Sequence, residues 1–146
     1  MMGASGASSQ LIFFITGLIV ATTVVAVAAN GVYKITDGID QKSDNVEKEL
    51  LTDIAIINDP DEVPNDPVRI YVKNVGTTVL NQNYITLMLD GILVTGYTLT
   101  LSGNTSSYWS PSSMLTISVD QDLAEGDHTV LVTTENGVSD KLSFRI

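Results

Sequence analysis

The sequence predicts a long N-terminal transmembrane α-helix followed by an all-β domain, an immunoglobulin-like antiparallel β-sandwich. The first 33 residues carry no charged side chain, and Leu11–Val32 is an apolar run of 22 residues. From Leu51 onward, short β-branched and aromatic runs alternate with turn signals. We therefore divide the chain into a transmembrane helix (1–33), an amphipathic helical stalk (34–50) and a β-sandwich domain (51–146).

The apolar run is long enough to cross a membrane, because an α-helix rises ~1.5 Å per residue and the hydrocarbon core is ~30 Å thick. A secretory signal has a basic start and a shorter apolar core. The segment before Leu11 contains no Lys or Arg. Ala26-Val27-Ala28 resembles a cleavage triplet, but a retained helix is the better interpretation.

One face of this helix carries mostly small residues at four-residue spacing: Gly17, Ala21, Val25 and Ala29. Small residues allow the backbones of two helices to approach closely. We therefore expect this face to pack against another helix. The competing interpretation is that small residues are common in any membrane helix.

The stalk continues the helix to about Leu50 with a single apolar stripe. Ile35, Ile39, Val46 and Leu50 follow one another at spacings of four, seven and four residues, and charged residues fill the gaps. The stripe is either a contact between two stalks or the seam along which the helix lies on its own domain. We favour the second interpretation slightly.

The region after the stalk reads as about seven short strands with turns every 8–12 residues, the pattern of a β-sandwich. Asp90-Gly91 and Asn136-Gly137 each separate two strand-like runs and predict β-hairpins. Alternation within 68–73 places Arg69, Tyr71 and Lys73 on one face. The predicted strands are Asp53–Asn58, Val68–Asn74, Tyr84–Leu89, Leu93–Leu101, Met114–Val119, His128–Thr134 and Lys141–Ile146.

Composition argues against several classes of function. The β-domain carries 12 Asp and Glu residues against four Lys and Arg residues, so nucleic acid and anionic head groups would be repelled. The chain has no cysteine, and His128 is its sole histidine. It lacks a Gly-rich phosphate loop, a nucleophile elbow and a paired-histidine metal motif. We expect a protein that is not an enzyme and holds no cofactor.

Two segments are candidate binding sites. Asp59, Asp61 and Asp66 lie in an acidic loop that could supply oxygen ligands to Ca²⁺, although a solvated acidic loop is the simpler interpretation. The Ser-rich segment 102–113 carries Tyr108 and Trp109, which with Tyr97 are candidate partner contacts. Alternatively, Trp109 folds back over one end of the sandwich.

A third candidate is a modification site. Asn104-Thr105-Ser106 forms the chain's N-x-[ST] sequon, and Asn104 would accept a glycan if the domain is outside the cell.

The layout resembles that of archaeal type IV pilin-like proteins, which include the archaellins. The stretch 53–60, followed by Val63-Pro64, resembles the start of the β-domain in FlaG-type archaellum accessory proteins. The stretch 71–80 resembles the next strand and turn of that family. Prepilin leaders end in a basic residue plus Gly, whereas Met1-Met2-Gly3-Ala4 lacks the base, which favours an accessory protein with an unprocessed N-terminus.

The resemblance implies a non-enzymatic, membrane-anchored stator or scaffold of the archaellum, acting by protein–protein contact and self-assembly. Its helix would lie in the cell membrane and its β-domain in the extracellular or pseudo-periplasmic space. Implied partners are the membrane, further copies of the chain, a FlaF-type sister protein, and the surface layer or the archaellum filament.

Two alternatives remain from the sequence. The chain could be a structural filament subunit, an archaellin or type IV pilin-like protein whose helix sits in a filament core. It could instead be a ligand-binding module in which Tyr108, Trp109 and the acidic loop take a sugar or Ca²⁺.

Overall fold

The structure, a computed structural model, describes residues 3–103 and 106–146. Its described residues form one α-helix, α1 (Gly3–Leu51), followed by short strands and one 3₁₀ turn. This confirms the predicted fold class. The described chain divides into two compact units, Met1–Asp44 and Asn45–Ile146, so each is treated by itself.

The first unit is helical throughout its described part. Gly31 and Gly38 do not interrupt α1. As expected for threonines in an apolar helix, the Thr16 and Thr23 hydroxyls donate to carbonyl oxygens one turn earlier, at 2.8 Å each. Within 6–51, α1 is long and apolar enough to cross a membrane by length and composition.

The second unit is a β-sandwich of two four-stranded antiparallel sheets and a separate two-stranded pair. Its strands are β1 (Ile54–Ile56), β2 (Val68–Asn74), β3 (Leu80–Asn81), β4 (Thr86–Leu89), β5 (Ile92–Val94), β6 (Tyr97–Leu101), β7 (Tyr108–Trp109), β8 (Met114–Val119), β9 (Asp127–Thr133) and β10 (Ser139–Arg145). A 3₁₀ turn, Gln82–Tyr84, precedes β4. The sheets have the orders β1-β2-β8-β6 and β10-β9-β4-β5, and β3 pairs with β7.

The core lies between the two sheets and follows the alternation read from the sequence. In β2, Val68, Ile70 and Val72 are fully buried, whereas Arg69 and Lys73 are exposed. Leu115 and Ile117 of β8 and Val130 and Val132 of β9 complete the centre of the core. Burial of these aliphatic side chains supplies the main driving force for folding.

Two sequence expectations fail in detail. The predicted strand Leu93–Leu101 is two strands, because the chain leaves one sheet after Val94 and enters the other at Tyr97. The short pair in which Leu80 faces Trp109 was not predicted. Periodicity does not reveal either feature, since both depend on which sheet the chain joins.

The hairpin signals are confirmed. Asp90 and Gly91 connect β4 to β5 with positive φ angles of 52° and 79°, as a two-residue type I′ turn requires. Asn136-Gly137 lies in the turn between β9 and β10, where Gly137 has a φ of 81°.

The apolar stripe of the stalk is solvent-exposed in this single chain. Val46 and Leu50, which belong to the second unit, are 44% and 80% exposed. The favoured interpretation, in which the stripe lies on its own domain, is therefore wrong at these two positions. A contact between stalks stays a prediction.

Candidate functional site

The candidate functional site is the junction at which the last turn of α1 enters the sandwich. The Leu51 carbonyl accepts hydrogen bonds from the backbone N–H groups of Thr77 and Thr78, at 2.9 and 3.3 Å. The Asp53 carbonyl accepts from Val75 and Gly76, at 3.0 and 2.9 Å. The final carbonyl groups of a helix lack partners within the helix. The loop after β2 supplies hydrogen-bond donors to the Leu51 carbonyl.

Gly76 is required in this loop by lack of space. A Cβ atom built at residue 76 would lie 2.5 Å from the Asp53 backbone nitrogen and 2.7 Å from the Leu51 carbonyl oxygen. Both neighbours are backbone atoms, which cannot rotate away as the end of a side chain would. The loop therefore reaches the helix end only because residue 76 has no side chain.

A second set of bonds ties the helix end to the other sheet. Thr52 is buried, and its hydroxyl donates to the Lys48 carbonyl at 2.6 Å. The Thr52 hydroxyl oxygen also accepts a hydrogen bond from the Asn136 side-chain amide at 2.8 Å. Because Asn136 lies in the turn between β9 and β10, the junction contacts both sheets of the sandwich.

Asn74 connects the junction to the core. It is fully buried, and its amide donates to the carbonyls of Thr78, at 2.9 Å, and Trp109, at 3.1 Å. Its Oδ1 accepts from the Gly76 N–H at 3.1 Å. The Trp109 ring N–H in turn donates to the Ser113 carbonyl at 3.0 Å. A buried polar side chain with its hydrogen bonds satisfied fixes one arrangement of the loops around it.

Trp109 is not available as a partner contact, which corrects that prediction. Its side chain is fully buried in the core, 0% exposed, and β7 pairs it with Leu80. The alternative, in which Trp109 folds back onto the sandwich, agrees with this position. Tyr97 is half-buried, and its hydroxyl donates to the Ile85 carbonyl at 2.7 Å. Tyr108 is 62% exposed and stays the partner-contact prediction.

The acidic loop does not bring its candidate ligands together. Among the described residues, no three His, Cys, Asp or Glu side chains form a group able to hold a metal ion. Asp59 instead turns back within the loop, where its Oδ1 accepts from the Asp61 N–H at 3.1 Å. The candidate Ca²⁺ site of Asp59, Asp61 and Asp66 is therefore wrong for this structure.

The remaining predicted sites stay predictions. In this single chain Gly17, Ala21 and Val25 are exposed and Ala29 is half-buried, so a second helix would find the small-residue face accessible. Asn104 lies outside the described residues.

The junction residues Thr52, Asn74, Gly76 and Asn136 were not singled out from the sequence as a site. The available signal was the segment Asn74-Val75-Gly76 directly after a strand, within the stretch that resembles FlaG-type proteins. An Asn and a Gly in such a turn indicate special backbone geometry. They do not indicate that the turn receives the end of a helix.

Comparison with known proteins agrees with the resemblance read from the sequence. A family model described as archaeal-type flagellin matches residues 3–144. The putative flagella-related protein G of Methanocaldococcus jannaschii is 29% identical over 143 residues, which cover 93% of this chain and 92% of the relative. The protein of the same name from Methanococcus voltae is 33% identical over 93 residues, 60% of this chain and 62% of that relative.

Solved structures with a similar fold include the archaellum periplasmic stator protein FlaG from Sulfolobus acidocaldarius. It is 20% identical with a TM-score of 0.46, over 64% of this chain and 100% of that one. A chain of the stator complex of FlaF and FlaG from the same organism is 25% identical with a TM-score of 0.44, over 64% of this chain and 90% of that one.

The family model is described as a flagellin and the two curated relatives are named flagella-related proteins, and the chain is not an enzyme. The family model spans both the apolar helix and the sandwich. The chain belongs to the archaeal-type flagellin family.

Proposed function

We propose that this protein is a membrane-anchored stator or scaffold component of the archaellum. The observation that carries the proposal is the combination of an apolar helix with a junction that binds its last turn into the sandwich. Its relative in Methanocaldococcus jannaschii is named a flagella-related protein, which supports a role in the same machinery.

The first half of α1 needs an apolar environment. Phe13 and Val25 are 77% and 67% exposed. None of the residues in the most apolar part of α1 is buried against the rest of the chain. Covering each such side chain is worth ~1.5–3 kcal/mol. Lipid, or lipid together with neighbouring helices, would cover this surface, and the β-domain would then project into the extracellular or pseudo-periplasmic space.

A stator must resist displacement between its anchor and its contact surface. The junction supports this role because the Leu51 and Asp53 carbonyls are held by backbone N–H groups rather than by flexible side chains. A flexible linker of Gly and Ser residues at the same place would let a domain reorient freely.

The proposed partners are further copies of this chain, a FlaF-type sister protein, and the surface layer or the archaellum filament. The FlaG of Sulfolobus acidocaldarius is described in a stator complex with FlaF. The acidic β-domain would favour partner surfaces with exposed basic groups.

A motility assay with matched insertions tests the mechanical part of the proposal. Gly-Ser-Gly inserted after Leu51 uncouples the helix from the loop 75–78, whereas the same insertion after Ser102 lengthens the turn at Ser102 and Gly103, both of which are exposed. We expect the first variant to be retained in the envelope but unable to support swimming, and the second to swim. Normal swimming by the first variant would overturn the role of the junction.

The second candidate function is a filament subunit, which the name of the matching family model favours. Shearing archaella from cells separates the two candidates by mass spectrometry. A stator remains in the envelope with its N-terminus intact, whereas a subunit is abundant in the sheared filaments and trimmed near Ala4.

A further inference from the structure

His128 lies in β9 with both ring nitrogens next to oxygen atoms. Nδ1 is 2.7 Å from Asp90 Oδ2, and Nε2 is 2.9 Å from the Ala124 carbonyl oxygen. An ionised carboxylate and a carbonyl can only accept hydrogen bonds. A neutral imidazole carries one N–H and can satisfy one of them, whereas an imidazolium ion satisfies both.

Asp90 is positioned independently of the histidine. Its Oδ1 accepts from the Thr129 N–H at 2.7 Å, and its own N–H donates to the Thr129 carbonyl at 2.8 Å. The Asp90 carboxylate, in the turn between β4 and β5, is therefore held by the main chain of Thr129 in β9. The His128 side chain is 14% exposed, and its ring lies 5.8 Å from the ring of Phe144 in β10.

The loop 120–126, which contains Ala124, is attached to a second loop. The Asn65 amide donates to Asp122 Oδ1 at 2.8 Å and to the Leu123 carbonyl at 3.0 Å, and the Leu123 N–H donates back to Asn65 Oδ1 at 3.0 Å. Leu123 is buried beneath this contact. His128 thus joins the β4–β5 turn to two loops at one end of the sandwich.

We propose that His128 is a pH-sensitive latch that ties the loop 120–126 to the β4–β5 turn. With two ring protons, His128 donates to both Asp90 and Ala124. Loss of one proton to solvent leaves the N–H that faces the Asp90 carboxylate, so the bond to Ala124 is lost. The loop 120–126 is then held through Asn65 but no longer through the histidine.

The neighbouring charges favour the doubly protonated ring. The hydrogen bond to Asp90 raises the pKa of His128 above its usual 6.5, the Ala124 carbonyl adds to this, and partial burial opposes it. The same bond lowers the pKa of Asp90. Asp127, on the same strand, also raises the pKa of His128, and Arg145 of β10 lies 4.0 Å from the Asp127 carboxylate.

The direction of the pH dependence follows from these shifts. Because the pKa of His128 is raised on folding, the latch is fully formed below about 6.5 and is lost as pH rises through the folded value. Because the pKa of Asp90 is lowered, the latch is also lost as pH falls through that lowered value. It is therefore closed in mildly acidic solution and open in alkaline solution.

The sole histidine of the chain allows a direct test. The full-length protein, labelled with ¹⁵N-histidine and held in detergent micelles, gives a nitrogen spectrum from one ring. We expect both nitrogens to be protonated at pH 6 and the titration midpoint to lie above 6.5. Asp90→Asn should lower the midpoint, whereas Asp120→Asn removes an equal charge and should lower it less. A wild-type midpoint at or below 6.5 overturns the proposal without any variant.

Hydrogen exchange tests the movement of the loop. Comparing wild type with His128→Phe, which lacks both ring nitrogens, at the same pH cancels the intrinsic dependence of amide exchange on pH. We expect amides in 120–126 to be several-fold better protected in wild type at pH 6 and equally protected in both proteins at pH 8.5. A difference that is the same at both pH values would show that the ring acts through packing alone, and the latch would be rejected.

Discussion

The side-chain amide of Asn74 donates a hydrogen bond to the main-chain carbonyl of Trp109 across 3.1 Å, although the two residues are 35 positions apart and both are fully buried. This bond links the loop that receives the end of α1 to the largest side chain in the core. A substitution at either Asn74 or Trp109 should therefore disturb the whole junction.

Replacing Asn74 with Ala should destabilise the β-domain strongly. The change leaves the carbonyls of Thr78 and Trp109 and the N–H of Gly76 without this partner, and an unsatisfied buried polar group costs ~1–3 kcal/mol. We expect a loss of about 3 kcal/mol in the free energy of unfolding, measured by chemical denaturation. Asn83→Ala, at an exposed position, is the matched control and should change stability by less than about 0.5 kcal/mol. Equal effects of both variants would contradict the role given to Asn74.

Gly76→Ala should disrupt the contact between the loop and the helix end. The new Cβ would overlap the Asp53 nitrogen and the Leu51 carbonyl oxygen, so the loop must move away and lose their hydrogen bonds. The expected cost is about 2 kcal/mol or more, measured as a lowered thermal unfolding midpoint. Gly96→Ala is the control, since a Cβ there meets nothing within 4 Å. A Gly76→Ala protein as stable as the control would show that the loop can adapt.

Substitutions of the two adjacent aromatic residues of β7 should have different effects, one on core packing and the other on partner binding. Trp109→Ala should cost ~3–5 kcal/mol, because it empties a buried site. Tyr108→Ser should leave the unfolding midpoint nearly unchanged and weaken binding to a partner, if Tyr108 is the contact. Pull-down of envelope proteins with each folded variant measures this. Unchanged binding by Tyr108→Ser would remove Tyr108 from the interface.

Asp140→Ala should weaken the open edge of β1. Its Oδ2 accepts from the Ile56 N–H at 2.7 Å and thus joins the first sheet to the second. A hydrogen bond to a charged group contributes ~1.5–3 kcal/mol, so a loss in this range is expected on denaturation. Ser143→Ala, an exposed change on the same strand, should have little effect. Equal losses of unfolding free energy in Asp140→Ala and Ser143→Ala would show that the Asp140 carboxylate does not stabilise β1.

Cysteine crosslinking should reveal which face of the apolar helix meets another copy. The chain contains no cysteine, so single replacements report without background. Ala21→Cys lies on the small-residue face, and Thr23→Cys lies on nearly the opposite face at a similar depth. In membranes we expect disulfide-linked dimers to form several-fold faster from Ala21→Cys. Equal rates would argue against self-association through this face.

Much of the fold was predictable because it follows from local pattern. The uncharged start of α1, the alternation in Val68–Asn74 and the Asp90-Gly91 turn each depend on a few neighbouring residues. The junction was not predictable in the same way. Whether Asn74 is buried and whether Gly76 meets a backbone depend on contacts with Trp109 and Leu51, which only the folded chain brings close.

The passage of the chain from β5 to β6 has a consequence for how the domain opens. On that side the two sheets are joined covalently by Thr95 and Gly96. On the opposite side the Ile56 N–H of β1 donates to Asp140 of β10, and the Arg145 N–H of β10 donates to the Pro60 carbonyl in the loop after β1. Thermal fluctuations that part the sheets should therefore begin between β1 and β10, beside the strand that directly follows the helix.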